Sequence, residues 1–185
     1  MQNTLTVNRL KTKGEKMSEQ TQAIMWYAVK KYLDGELNDD RWKYTYNNDE
    51  LYQFFEAYQV VDCEVLKDIK FGFFVSEYSV VCYSDFQLEA PENNKCKVAE
   101  YILRANEHDL HGAFDMVYDD GRIRYKILLS IHDLKDDIAA DANLSKARIV
   151  SMMAWQKHIE NLFGLINGTI GSKSIAQMIN DTTGA

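Results

Sequence analysis

The chain has 185 residues, of which 46% are hydrophobic and 26% charged, as expected for one globular domain and not for a disordered protein. Its formal net charge of -7 repels phosphate groups, which argues against nucleic acid and anionic membranes as partners. The apolar runs are too short for a membrane-spanning helix, and three widely spaced cysteines do not make a disulfide framework, so we predict a cytoplasmic protein.

The first sixteen residues differ from the rest in composition, with four basic residues against one acidic residue and no helical or strand period. We therefore predict a disordered leader over residues 1–16 and a single domain over residues 17–185. The peptide Lys13-Gly14-Glu15-Lys16 is also what a purine-rich ribosome-binding site would encode. The native start is accordingly either Met1 or Met17.

The N-terminal half predicts one helix followed by aromatic-rich strands. A patchy amphipathic pattern favours a helix over 20–37. Alternating or β-branched runs separated by polar turns then predict strands over 42–46, 70–76 and 79–86. Residues 51–62 fit a strand or a short helix, and the hairpin-type turn before them favours the strand.

The C-terminal half alternates helices with one hairpin. Apolar residues at helical spacing follow Pro91, and Asp120-Gly121 between alternating runs predicts a tight hairpin. The acidic segment 133–141 is predicted as a solvated loop or helix start. The predicted elements are a helix over 91–108, strands over 113–118 and 122–132, and helices over 143–166 and 172–180.

This order predicts the α+β class, with an antiparallel sheet and helices packed on one of its faces. The last long helix carries a wide apolar face, which is either buried by the final short helix or available to a partner or a second copy. The candidate partner-binding residues on this face are Met152, Trp155, Ile159, Leu162 and Phe163.

Arg122, Arg124 and Lys126 alternate along one predicted strand and so share one face of the sheet. Two interpretations stay open for them. They form a small site for an anion or an acidic peptide, or they are exposed cations that balance nearby acids. Arg122 and Arg124 are therefore candidate ligand-binding residues.

No catalytic or metal-binding pattern is complete in the sequence. His108, His111 and Cys96 are too few for a structural zinc site, and we expect the histidines to flank a helix end. Cys63 and Cys82 fall in strand-like runs, where a thiol packs as a small apolar group. The acidic segment 133–141 lacks the glycine and glutamate spacing of a calcium loop. We predict a protein that is not an enzyme and has neither cofactor nor metal.

Three short segments have a distinctive pattern: Val98–Asn106, Gly112–Asp115 and Asp120–Lys126. They resemble the YbjN-like family of bacterial domains, which are similar to type III secretion chaperones and are described as sensory transduction regulators. The tail from Gly168 to Ile179, with Ala176, is similar to the family's Gly-to-Ala tail.

The resemblance implies a secretion-chaperone-like fold, which is often dimeric, and gives no catalytic residue. Together with the residues above, it predicts a non-enzymatic protein-binding domain, a regulator or chaperone-like module that forms a homodimer and binds an unidentified protein. The alternative prediction is a sensor domain that binds a small molecule or an ion.

Overall fold

The computed structural model describes residues 2–36, 42–49, 52–60, 68–170 and 173–184. Within these ranges the helices are α1 (Gln2–Glu36), α2 (Lys95–Asn106), α3 (Asp137–Asn167) and α4 (Ile175–Thr183). The strands are β1 (Trp42–Asp49), β2 (Tyr52–Val60), β3 (Asp68–Val75), β4 (Ser79–Asp85), β5 (Ala113–Met116) and β6 (Ile123–Ser130). A 3-10 turn, Ile131–Leu134, precedes α3.

The six strands pair antiparallel into one sheet with the order β1-β2-β3-β4-β6-β5. Short turns connect β3 to β4 and β5 to β6, as antiparallel pairing allows. Helices and an antiparallel sheet from one chain confirm the predicted α+β class.

The two faces of the sheet differ because successive side chains of a strand point to opposite sides. On β3, Ile69, Phe71 and Phe73 are buried, whereas Lys70 and Phe74 are partly exposed. We call the first side the covered face and the second the open face. Side chains of the open face include Phe54, Glu56, Tyr58, Lys70, Phe74, Tyr83, Asp85, Arg122, Arg124, Lys126 and Leu128.

The helices supply the other half of the core above the covered face. Met25, Val29 and Leu33 recur every four residues on α1 and are at most 1% exposed. On α3, Trp155 and Leu162 are equally buried. Burial of each such side chain contributes about 1.5–3 kcal/mol, so this layer is the main source of stability.

The bounds of two helices differ from prediction. Helical backbone is continuous from Gln2 to Glu36, whereas the first helix was predicted over 20–37. α3 begins at Asp137 and not at residue 143, because the Asp136 carboxylate accepts a hydrogen bond from the Ala139 N–H at 2.8 Å and caps the helix. The acidic residues thus include helix caps.

The end of α2 is joined to β5 through Asn106. Its side-chain amide donates to the Phe114 carbonyl at 2.9 Å, and its carbonyl oxygen accepts from the Phe114 N–H at 2.7 Å. Next to this, Gly112 passes so close to β6 that an added Cβ would lie 2.6 Å from the Lys126 carbonyl oxygen. These contacts fix the connection between α2 and β5, which forms one wall of the candidate site.

Candidate functional site

A cavity of about 560 Å³ lies between the end of α2, its connection to β5, and the middle of α3. This volume is within the range of small-molecule sites, roughly 300–1,000 Å³. We call it the histidine cavity. Its apolar walls are Ala105, Leu110, Val150, Met153 and Ala154, and its polar lining is His108, Asp109, His111, Gln156, Lys157 and His158.

His158 is the buried polar group of this cavity, at 3% exposure. Its Nδ1 lies 2.8 Å from the Tyr101 hydroxyl oxygen. Asn161 donates to that same hydroxyl oxygen at 3.1 Å, so the hydroxyl hydrogen is free to be donated to Nδ1. With the hydroxyl as the donor, the ring hydrogen of His158 is on Nε2.

The network behind Tyr101 is satisfied throughout. The Asn161 amide also donates to the Thr182 hydroxyl at 2.9 Å, and Thr182 donates to the Met178 carbonyl at 2.7 Å. Burial, and to a smaller degree the charge of Lys157, lowers the pKa of His158 to about 4. The ring is therefore neutral at pH 7, in agreement with the tautomer assigned above.

Asp109 is the one carboxylate of the cavity lining, and its oxygens are already bonded. The carboxylate accepts from the N–H groups of His111 at 2.9 Å and Gly112 at 3.3 Å, and from the Tyr125 hydroxyl at 2.6 Å. Burial and this carboxylate raise the pKa of Tyr125, which stays protonated as the donor. Asp109 thus stabilises the connection between α2 and β5, and its oxygens have little remaining capacity to accept a hydrogen bond from a ligand.

The polar lining is consequently rich in donors. Lys157 forms no ion pair with any described residue, His158 presents an N–H, and His108 and His111 are exposed at the rim. Donors above apolar walls fit a ligand with an anionic or acceptor group attached to an apolar body. Among the residues the structure describes, no three His, Cys, Asp or Glu side chains lie close enough together to hold a metal ion.

The predicted partner-binding face of α3 is mostly part of the core. Trp155 is 1% exposed, donates from Nε1 to the Ser84 hydroxyl at 2.9 Å, and packs edge-on against Phe86 and Phe114. Leu162 and Ile159 are buried as well, and Met152 is half-buried. Only Phe163 of the five is exposed, at 44%. Four of these residues therefore offer a partner little or no surface, because the sheet and the neighbouring helices cover them.

Arg124 lies on the open face of β6, and Arg122 lies on the same side just before the strand, as their alternation predicted. Each guanidinium forms an ion pair, Arg122 with Asp120 at 2.8 Å and Arg124 with Asp115 at 2.5 Å. Lys126 also reaches Asp115, at 3.2 Å. The interpretation in which these cations balance nearby acids is thus the one that the structure favours.

The remaining sequence candidates are the cysteines and the acidic segment 133–141. Cys82 is buried, which raises the pKa of its thiol to about 12 and keeps it protonated. Cys96 is exposed, and Cys63 lies outside the described residues. The Asp133 carboxylate accepts from both the N–H and the hydroxyl of Ser130 at 2.7 Å, as a cap of the 3-10 turn.

Sequence reasoning found His108 and His111 but missed the residues across the cavity. Lys157 and His158 come from α3, some fifty positions further along the chain, and no local motif connects them to the α2–β5 connection. One pattern pointed to His158. It lies three residues after Trp155, on the same helix face, so a buried Trp155 implied a buried histidine.

Comparisons with known proteins add no identification. The sequence matches no protein-family model, and no curated protein and no solved structure is significantly similar to the chain. The YbjN-like resemblance therefore stays a prediction. Within the described ranges, no helix is both long enough and apolar enough to cross a membrane.

Proposed function

We propose that the protein is a non-enzymatic, cytoplasmic sensor domain that binds a small organic acid in the histidine cavity. The proposal rests on the lining of this cavity, in which hydrogen-bond donors lie above apolar walls. The carboxylate of Asp109 already accepts hydrogen bonds from other groups of the protein, so it does not occupy these donors. The acid group would accept from His158 Nε2–H and Lys157, and the apolar body would contact Val150 and Met153.

The test is a titration with matched pairs of small molecules followed by NMR of the ¹⁵N-labelled protein. Hexanoate and benzoate carry the acid group, and hexanol and benzyl alcohol are their neutral counterparts. We expect the acids to shift the amides of Met153, Lys157 and His158 at concentrations where the alcohols do not. Equal binding of acids and alcohols, or shifts confined to other parts of the chain, would contradict the proposal.

A pair of lysine variants localises the binding. Lys157→Met retains the apolar stem but removes the ammonium group, and we expect about tenfold weaker binding of benzoate. Lys97→Met removes an exposed lysine of α2 that does not line the cavity, and it should bind as the wild type does. If both variants bind equally well, Lys157 does not contact the acid.

A protein partner is the second candidate, because apolar side chains protrude at the mouth of the same cavity. Leu110 is 93% exposed and Met153 62%, and both line the cavity. Single exposed apolar residues are common on proteins, but two at one cavity mouth favour contact with a partner or a second copy in a homodimer. Native mass spectrometry of the wild type and of a Leu110→Ser, Met153→Ser variant tests this. A dimer in both would place the dimer contact elsewhere, and a dimer only in the wild type would support it.

A further inference from the structure

A second pocket lies on the open face of the sheet, away from the histidine cavity. Two cavities of about 100 Å³ and 350 Å³ share Lys70, Asp85 and Arg122 as lining residues. We call them together the open-face pocket. The larger cavity alone is at the lower end of the size range of small-molecule sites, roughly 300–1,000 Å³.

The charges around the open-face pocket nearly cancel. Its cations are Lys70, Arg122 and Arg124, and its carboxylates are Glu56, Asp85, Glu89 and Asp120. Lys70 pairs with Glu56, and Arg122 pairs with Asp120. A site with a net charge of about -1 does not attract an anion, so the anion site predicted from Arg122 and Arg124 is disfavoured.

Polar groups of this pocket nevertheless have unused hydrogen-bonding capacity. The Nε atoms of Arg122 and Arg124 are buried and have no hydrogen-bond partner among the described residues. Asp85 is only 7% exposed, forms no ion pair within the described chain, and accepts one hydrogen bond, from the Gln87 N–H. Burial raises the pKa of this carboxyl. Two donor atoms without a partner, and a carboxylate that accepts one hydrogen bond, therefore belong to residues that line this pocket.

The backbone at the rim is in an uncommon conformation. Gln87 has φ of +57°, in the left-handed region that glycine usually occupies, and its N–H is held by the Asp85 carboxylate. Such conformations persist where the surroundings impose them, and they concentrate at binding sites. Gln87 lines the larger cavity and brings an amide group, which both donates and accepts, to its edge.

Two aromatic rings of the pocket already contact cationic side chains, which favours a neutral ligand over a cationic one. Arg124 lies over the Tyr83 ring at 4.9 Å, and Lys70 lies over the Tyr58 ring at 5.8 Å. A cationic ligand would have to compete with both of these side chains. Tyr58 is still 39% exposed, so it retains surface for the C–H face of an uncharged ligand.

We propose that the open-face pocket binds a neutral, polyhydroxylated molecule, specifically a mono- or disaccharide. Each hydroxyl group both donates and accepts, which matches the alternation of carboxylate, guanidinium and amide groups on the wall. Asp85 would accept from one hydroxyl, and the guanidinium groups of Arg122 and Arg124 would donate to its neighbours. Tyr58 would contact the apolar side of the ring. This site is independent of the organic acid proposed for the histidine cavity.

The experiment is an NMR titration of the ¹⁵N-labelled protein with glucose, galactose, maltose and lactose in turn. At least one sugar is expected to shift the amides of Lys70, Asp85 and Arg122 while those of the histidine cavity stay in place. Absence of such shifts with all four sugars overturns the proposal. Shifts of these amides with citrate or spermidine, and none with sugars, overturn it as well and identify a charged ligand.

Two variants and a control assign the site. Asp85→Asn keeps an oxygen that can accept from the Gln87 N–H but loses the charge, and we expect about tenfold weaker sugar binding. Tyr58→Ala is a second variant at a more exposed position, with the same expected direction. Asp141→Asn, on the exposed side of α3, is the matched control and should bind like the wild type. Unchanged binding in both test variants would show that the sugar is bound elsewhere.

Discussion

The covered and open faces of the sheet come from the same strands but have different chemistry. On β3 and β4, Phe73 and Val80 are buried beneath the helices, whereas their neighbours in the sequence, Gly72 and Val81, belong to the open face. The covered face excludes charge, and the open face groups Lys70, Asp85 and Arg124 in one row. Alternation within single strands thus separates residues that stabilise the fold from residues that are available for recognition.

The largest expected difference between the faces is the loss of unfolding free energy when a large side chain is truncated. Trp155→Ala removes the buried ring from the covered side together with its bond to Ser84, and we expect a loss of about 3–5 kcal/mol in the free energy of unfolding. Leu128→Ala, on the open face at 68% exposure, should cost about 0.5 kcal/mol or less. Urea denaturation of both variants measures this. Comparable losses would mean that the open face is also packed against another part of the chain or another copy.

A smaller change in the free energy of unfolding is expected when the pH is lowered. It comes from His158, which lies on the covered side of the sheet. The pKa of His158 is lowered from an ordinary value of 6.5 to about 4, so the unfolded chain binds the proton more readily than the folded chain does. The contribution of neutral His158 to the free energy of unfolding is therefore complete above about pH 6.5. It falls as the pH drops toward 4 and does not change further at lower pH. At about 1.4 kcal/mol for each pKa unit, we expect a loss of about 2–3 kcal/mol.

The matched variant for this prediction is His158→Gln, whose side-chain oxygen can still accept from Tyr101. Unfolding free energies of the two proteins, measured between pH 7 and pH 4, should converge as the pH falls, because other titrating groups are common to both. Parallel curves would mean that the pKa of His158 is the same in the folded and the unfolded protein, and that burial does not lower it.

The smallest effect is expected for the ion pairs of the open face. Arg124→Met and Asp115→Asn each break the 2.5 Å pair, and a double-mutant cycle should give a coupling energy of about 1 kcal/mol or less that weakens in high salt. The pair is only partly exposed, so a small positive coupling is expected instead of none. A coupling above about 3 kcal/mol would mean that the pair is desolvated to a degree typical of the core.

The sequence predicted the strands well because aromatic and β-branched runs between polar turns are local patterns. The faces of α3 were harder to assign. We placed Phe163 on its wide apolar face, yet it is 44% exposed, whereas Ser151 and His158 are buried in the core. Counting apolar residues alone cannot find a core face that includes polar groups bonded inside the protein.

The candidate sites were predictable only in part, for a related reason. Arg122 and Arg124 were assigned to one sheet face correctly, since strand alternation is a local rule. Their ion-pair partner Asp115 and the buried Asp85 come from neighbouring strands, whose register follows from the assembled sheet. The histidine cavity likewise joins residues about fifty positions apart.

The bonds between Asn106 and Phe114 also bear on how copies of this protein can meet. β5 is the outer strand of the sheet, and an outer strand with unpaired backbone groups is a template for another chain. Here the outward N–H and carbonyl of Phe114 are both occupied by one side chain. Asn106 therefore blocks the pairing of another strand at Phe114, and a homodimer that continued the sheet would have to use the other outer strand, β1.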